Sequence, residues 1–282
     1  MSFLIIFARR FVAGEELSEA IPSIKRLNDK GIMTTIDHLG ENVTSEEIAR
    51  AAADSYLEIL DIIEREKLNS NVSLKLTQMG LDLGDDFCFS NVERIVEKAY
   101  KLNNFVRIDM EGSKYTQRTL DISYRLFEKY GNVGVVIQSM LLRSEDDIKE
   151  LNKRGIRVRL CKGAYKEPEA IAFQKKEQVN ENYIKLMKML LTEGKYPAIA
   201  THDEKIINEC KRFVKENKID SSRFEFQMLY GIRRDLQVSL VKEGYRMRVY
   251  VPYGKEWFPY FYRRLRERKE NVFFVLRNFF RG

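Results

Sequence analysis

The amino-acid sequence predicts an α/β fold in which eight strand–helix units close into a barrel. Eight short apolar runs rich in Val, Ile, Phe and Met recur along the chain, and each is followed by a segment of helical spacing. No G-x-G-x-x-G turn, the usual mark of an open doubly wound sheet, occurs anywhere. Eight such units within about 250 residues is the arithmetic of a TIM-type (βα)8 barrel.

The elements follow in order. A leading helix is expected over residues 16–28, within an N-terminal helical extension covering 1–30 that begins with a helix near residues 1–10. Strands are expected over 31–38, 71–77, 105–111, 133–139, 156–162, 198–202, 223–228 and 245–251. The helices between and after them span 45–67, 90–102, 116–130, 145–154, 168–192, 203–217, 232–242 and 256–280. Ser90, Ser144 and Asp203 read as caps, and Ser45 precedes a Glu47 that suits the positive end of a helix.

The chain has 282 residues, 44% hydrophobic and 32% charged, which excludes wholesale disorder and collagen-like order. Five prolines and fifteen glycines leave no biased linker, so residues 1–282 read as a single barrel domain. Three scattered cysteines suggest no disulfide framework and a reducing compartment. The apolar start followed by arginines is the wrong order for a secretory signal, and no run of about 20 apolar residues appears. A cytoplasmic protein is expected. With two histidines and neither C-x-x-C nor H-E-x-x-H, no metal site is expected. Nor is there a G-x-S-x-G nucleophile turn.

The net charge of +7 is unevenly placed: residues 233–282 hold 13 Lys/Arg and 5 Asp/Glu. Such a basic end suits nucleic acid, an anionic membrane or a small anion.

Side chains on a barrel strand alternate between helices and lumen. Apolar Val106, Ile108 and Met110 therefore turn Arg107, Asp109 and Glu111 inward. Val72, Leu74 and Leu76 do the same for Ser73, Lys75 and Thr77, and Val158 and Leu160 for Arg157, Arg159 and Cys161. Phe224, Phe226, Val249 and Val251 leave Glu225, Gln227, Arg248 and Tyr250 inside. The same parity gathers Lys75, Asp109, Gln138, Arg159, His202, Gln227 and Tyr250 near the carboxyl ends of seven strands, where barrels carry catalysis. Mutual ion pairing is the alternative for any one of them. So large a charged cluster suits a polar, anionic or zwitterionic ligand, because buried pairs seldom improve on apolar packing.

After the eighth strand, Arg263 and Arg264 precede Glu267 by four and three residues, so all three can share a helix face. Paired guanidiniums grip a carboxylate bidentately, and a neighbouring glutamate can orient them. The apolar stretch 272–280 reads as core.

The motifs Thr35-Ile-Asp-His-Leu-Gly-Glu41, Val72-Ser-Leu-Lys-Leu-Thr-Gln78, Arg107-Ile-Asp-Met-Glu111 and Arg159-Leu-Cys-Lys-Gly-Ala-Tyr165 stand in order, one per unit. So do Ala200-Thr-His-Asp203, Glu225-Phe-Gln-Met-Leu-Tyr-Gly231, Val249-Tyr-Val-Pro-Tyr-Gly254 and the Arg-Arg-x-x-Glu helix. Together they resemble the proline dehydrogenase family in its short monofunctional bacterial or archaeal form. Where typical members read Glu-Arg-Pro-Ala-Asn, this chain reads Glu267-Arg-Lys-Glu-Asn271.

The resemblance implies that L-proline is oxidised to Δ1-pyrroline-5-carboxylate by hydride transfer from C5 to N5 of non-covalent FAD, electrons then passing to a quinone. It implies that Arg263 and Arg264 clamp the carboxylate, that Glu267 orients them, and that Lys75, Asp109 and Tyr250 complete the substrate shell. Met110, Gln138, Arg159, Lys162, Gly163, Ala164, Thr201 and His202 would hold FAD, with Gln227 and Leu229 as walls on the cofactor side. Asp109 and Arg159 carry the catalytic assignments, Arg159 by stabilising negative charge on the reduced cofactor. A quinone acceptor fits peripheral contact with the inner face of the cell membrane, and an oligomer is compatible. Two other readings remain: a flavin-free barrel enzyme acting on another carboxylated or phosphorylated metabolite, and a nucleic-acid-binding module using the C-terminal arginines, for which no recognised motif exists.

Overall fold

A computed structural model gives the fold, describing residues 8–267 and side chains as far as Arg263. Eight parallel strands follow one another around a closed barrel: β1 (Met33–His38), β2 (Ser70–Leu74), β3 (Val106–Ile108), β4 (Val133–Gln138), β5 (Arg157–Cys161), β6 (Ala198–Ala200), β7 (Glu225–Leu229) and β8 (Met247–Tyr253). β8 returns to β1 with Tyr250 opposite Thr35. The intervening helices are α1 (Leu17–Asn28), α2 (Glu46–Arg65), α3 (Asp85–Lys101), α4 (Thr116–Tyr130), α5 (Ser144–Arg154), α6 (Lys176–Glu193), α7 (Glu204–Glu216), α8 (Arg234–Lys242) and α9 (Trp257–Glu267). The fold is the (βα)8 barrel expected from the repeat.

Alternation seals the outer face of the barrel. Ile36, Val72, Leu74, Val106, Ile108, Leu160, Phe226, Val249 and Val251 are fully buried in one cluster with Ile59, Val92, Leu126, Leu151, Leu186 and Ile207 of the helices. Each such side chain contributes about 1.5–3 kcal/mol by leaving water.

The lumen's lower layer is polar and largely paired within itself, Arg107 Nε alone of the groups named here lacking a protein partner. Glu225 accepts from Arg248 Nε at 2.8 Å, from Tyr196 at 3.0 Å and from Gln227 Nε2. Arg107 donates to the backbone of Val135 and Arg157. It fits because β4 carries a glycine beside it: a Cβ on Gly134 would lie 2.7 Å from Arg107 Nη1. Arg157, expected in the lumen, stacks its half-buried guanidinium over Phe105 and Tyr196, rings that also touch Arg107 and Glu225, where its strand opens at the barrel's amino end.

Helix starts follow their caps with three corrections. Ser45 accepts from the Ile48 amide and Asp203 from the Lys205 amide, as expected. Ser90, expected as a cap, lies inside α3, which begins five residues earlier after Gly84 with Asp85 and Asp86 in its first turn. Ser144 is the first helical residue of α5 and donates to the Gln138 carbonyl instead of capping. The segment 168–175 is not helix: the Pro168 carbonyl closes a turn by accepting from Ile171 and Ala172, and α6 starts at Lys176.

The N-terminal extension differs from a plain helix pair. The expected helix near residues 1–10 falls largely outside the described residues. From Ala8 the chain turns, packing Ala8, Phe11 and Val12 against Leu39, Ile232, Tyr260 and Phe261. These residues form the seat of α9. Trp257 donates to Glu15 at 3.0 Å, and the rings of Phe11 and Phe261 lie 6.0 Å apart. The apolar stretch 272–280 lies outside the described residues.

Candidate active site

Several strands stop just short of their chemistry. β2 ends one residue before Lys75, β3 one before Asp109 and β6 two before His202, so these side chains keep strand parity while standing at the barrel's carboxyl mouth.

Two buried acid–base groups face each other there. Asp109 accepts from Arg159 Nη1 at 2.7 Å and from the Tyr250 hydroxyl at 2.9 Å, and Arg159 also donates to Ser73. Lys75 donates to both carboxylate oxygens of Asp37 at 3.3 and 3.2 Å. Burial holds Asp109 above the ordinary carboxylate range, against the opposing pull of Arg159 and Lys75. Burial alone would lower Lys75, but the charges of Asp37, Asp109 and Glu111 outweigh it and raise its pKa. Glu111 is itself raised by burial while accepting from the Thr77 amide and hydroxyl.

The arginine helix reaches the same mouth. Arg263 forms a bidentate pair with Glu41 at 2.7 and 3.1 Å, and Tyr165 and Tyr250 are among the groups acting on its charge. A cleft of about 740 Å³ runs between α1 and α2, past Ile21 and Ile48, to Glu41, Lys75 and Arg263. The side chains of Arg264 and Glu267 lie outside the described residues. Glu41 meets Arg263 in the form described, so a ligand carboxylate would exchange with a protein carboxylate.

The residues expected around a cofactor lie across the carboxyl ends of β3 to β7. Gln138 is buried, donates to the Glu111 carbonyl, and leaves its Oε1 without a protein partner; Arg159 Nε is likewise unpartnered. Gly163 has φ +105°, and a Cβ there would sit 2.4 Å from Met140 Sδ and 2.9 Å from that same Gln138 oxygen. Lys162 pairs with Asp203 at 2.8 Å, Ala164 is exposed, and Met110 is buried. The Thr201 hydroxyl accepts from the Asp203 amide. His202 Nε2 accepts from the Leu229 amide, which assigns the proton to Nδ1 when the ring is neutral. Gln227 turns its amide nitrogen down to Glu225. An orphaned buried acceptor, an orphaned guanidinium donor and a glycine cradle beside a lysine fit a planar, phosphate-bearing cofactor such as a flavin nucleotide.

Four residues of this site lay outside the sequence assignments: Asp37, Glu41, Tyr56 and Tyr165. The parity rule applied to β1, with Ile36 toward the helices, places Asp37 inward; Glu41 and Tyr165 stand in the quoted motifs. Tyr56 belongs to α2, and nothing in its helical spacing separates it from ordinary core.

Comparison with known proteins agrees with this geometry. The family model "Proline dehydrogenase" matches residues 20–277. The chain is 45% identical over 272 residues to Proline dehydrogenase 2 of Bacillus subtilis, covering 96% of this chain and 90% of that protein. It is 40% identical over 280 residues to the proline dehydrogenase of Deinococcus radiodurans, covering 98% and 90%. Among solved structures, proline utilization A (PutA) from Bdellovibrio bacteriovorus, inactivated by N-propargylglycine, superposes with a TM-score of 0.87 at 28% identity, covering 93% of this chain and 32% of that one. The chain thus spans about a third of the length of that larger protein. With the barrel, the convergent mouth and near full-length likeness to these monofunctional relatives together, the chain belongs to the proline dehydrogenase family and oxidises proline, the first step of proline catabolism.

Proposed function

We propose that this enzyme is a single-domain FAD-dependent proline dehydrogenase that takes L-proline to Δ1-pyrroline-5-carboxylate and passes the electrons to a quinone. FAD, held non-covalently by Met110, Gln138, Arg159, Lys162, Gly163, Ala164, Thr201 and His202, with Gln227 and Leu229 as walls, would accept the hydride that leaves proline C5. The observation that carries the reading is the meeting of Asp109, Arg159, Tyr250, Lys75 and Arg263, from separate elements, at one mouth.

Arg263 and Arg264 bind the substrate carboxylate, and Glu267 orients them; the Glu41 pair keeps Arg263 extended toward the mouth until a ligand arrives. Lys75, Asp109 and Tyr250 surround the ring. The ring nitrogen must lose its ammonium proton before an iminium can form, and Asp109, raised by burial, is the group we assign to that proton balance. Arg159 supplies fixed positive charge where negative charge accumulates. The C-terminal excess of basic residues supports contact with an anionic membrane face, where a quinone would be met. Among the described residues no helix is long and apolar enough to cross a membrane.

The decisive experiment is anaerobic visible spectroscopy of the purified holoenzyme. A flavin band that bleaches on adding L-proline and recovers on adding a short-chain quinone is expected. A colourless protein that takes up no FAD, or a band indifferent to proline, overturns the reading.

A further inference from the structure

We propose that Asp37 is a positioning residue for the substrate: from a seat fixed by Tyr56, it aims the Lys75 side chain so that one ammonium N–H is left for the substrate. This rests on the assignment of Lys75 to the substrate shell. Asp37 is wholly buried, Tyr56 is wholly buried and Lys75 is 8% exposed. Two of the three Lys75 donors are taken up by the two Asp37 oxygens. The Tyr56 hydroxyl accepts from the His38 amide at 3.2 Å and has one proton, with the Ser73 carbonyl at 2.8 Å and Asp37 Oδ1 at 3.3 Å in reach. That hydroxyl ties β1 to β2 directly beneath the lysine.

A lysine side chain is long and rotamer-rich, so a group that orients it before binding removes part of the ordering cost of the complex. No step of the oxidation uses Asp37, and a buried carboxylate is costly unless a partner repays it. The other charged or titratable groups acting on Lys75 are Asp109 beyond β3, Glu111 two residues on, Tyr165 beyond β5 and His38 on β1. Removing the Asp37 charge leaves the desolvation of Lys75 less opposed, so its pKa falls and its cation is lost at lower pH.

Steady-state kinetics of the flavin-loaded enzyme tests this with Asp37→Asn, Lys75→Met, the double variant and Tyr56→Phe. Asp37→Asn is expected to raise the proline KM about tenfold with kcat nearly unchanged, and to move the alkaline rise of KM to lower pH. Tyr56→Phe is expected to raise KM roughly two- to threefold. In the Lys75→Met background, Asp37→Asn should add nothing. A merely structural role would lower thermal stability and flavin content without moving the pH profile. A raised KM in Lys75→Met with wild-type KM and pH dependence in Asp37→Asn, or additive effects in the double variant, overturns the inference alone. An unchanged KM in Lys75→Met overturns it together with the substrate-shell assignment. Should Asp37→Asn fail to fold, Tyr56→Phe decides: a raised KM with normal flavin content supports the positioning role and an unchanged KM overturns it.

Discussion

Arg263 is the described side chain to which we assign the substrate carboxylate. Its fork is already matched by Glu41 at hydrogen-bonding distance, so its geometry is set before substrate arrives. Arg263→Ala should raise the proline KM by about two orders of magnitude while sparing flavin content, because the lost contact is to the substrate. Saturation kinetics beside the absorbance ratio of flavin to protein checks this, and a KM within twofold of wild type would remove the clamp assignment. At this scale the sequence was legible wherever strand parity applied. Lys75, Asp109, Arg159 and Tyr250 alternate with apolar residues, and the structure brings them together. Glu41 and Tyr165 sit in loops, where no periodicity tells which way a side chain turns.

Individual elements owe their position to caps and to a few long-range contacts. Asp203 caps α7 and pairs with Lys162. Burial alone would raise its pKa, but the Lys162 and Lys205 contacts outweigh it and hold it below its ordinary value. A depressed carboxylate stabilises the fold above its unfolded pKa of about 3.9, and that contribution is lost as pH falls through the folded value. Asp203→Ala should therefore cost about 1 kcal/mol at neutral pH, with the difference from wild type shrinking below about pH 4 in thermal melts. Helix α9 depends on residues more than two hundred positions away. Phe11→Ala removes a ring from beneath Phe261, and about a tenfold rise in proline KM with flavin retained is expected. An unchanged KM would show that α9 does not need that seat. The misplaced starts of α3 and α5 have different causes: Ser90 lies exposed inside a helix that starts after Gly84, whereas the Ser144 hydroxyl is spent on the Gln138 carbonyl.

For the whole molecule, the lumen divides by height into a plug and a reaction mouth. Below, Glu225 neutralises Arg248 and lies near the fully desolvated Arg107, whose pKa is driven down by burial. Glu225→Ala leaves those guanidiniums without a buried counter-charge and should cost about 3–5 kcal/mol, read as a lower Tm. A Tm equal to wild type would mean that water replaces the carboxylate. Above, Gln138 Oε1 and Arg159 Nε lack a protein partner, as Arg107 Nε does below, and there a cleft opens on Lys75 and Arg263. Sequence periodicity by itself determined the eight-fold repeat, the outward apolar faces and the inward set of charges, because a pleated strand has only two sides and one must meet the helices. Which charges satisfy one another and which face a ligand was decided by the tertiary structure alone. Height in the lumen depends on register between strands, and the partners of Arg263, Lys75 and Tyr56 come from chain segments whose approach is set only when the barrel closes.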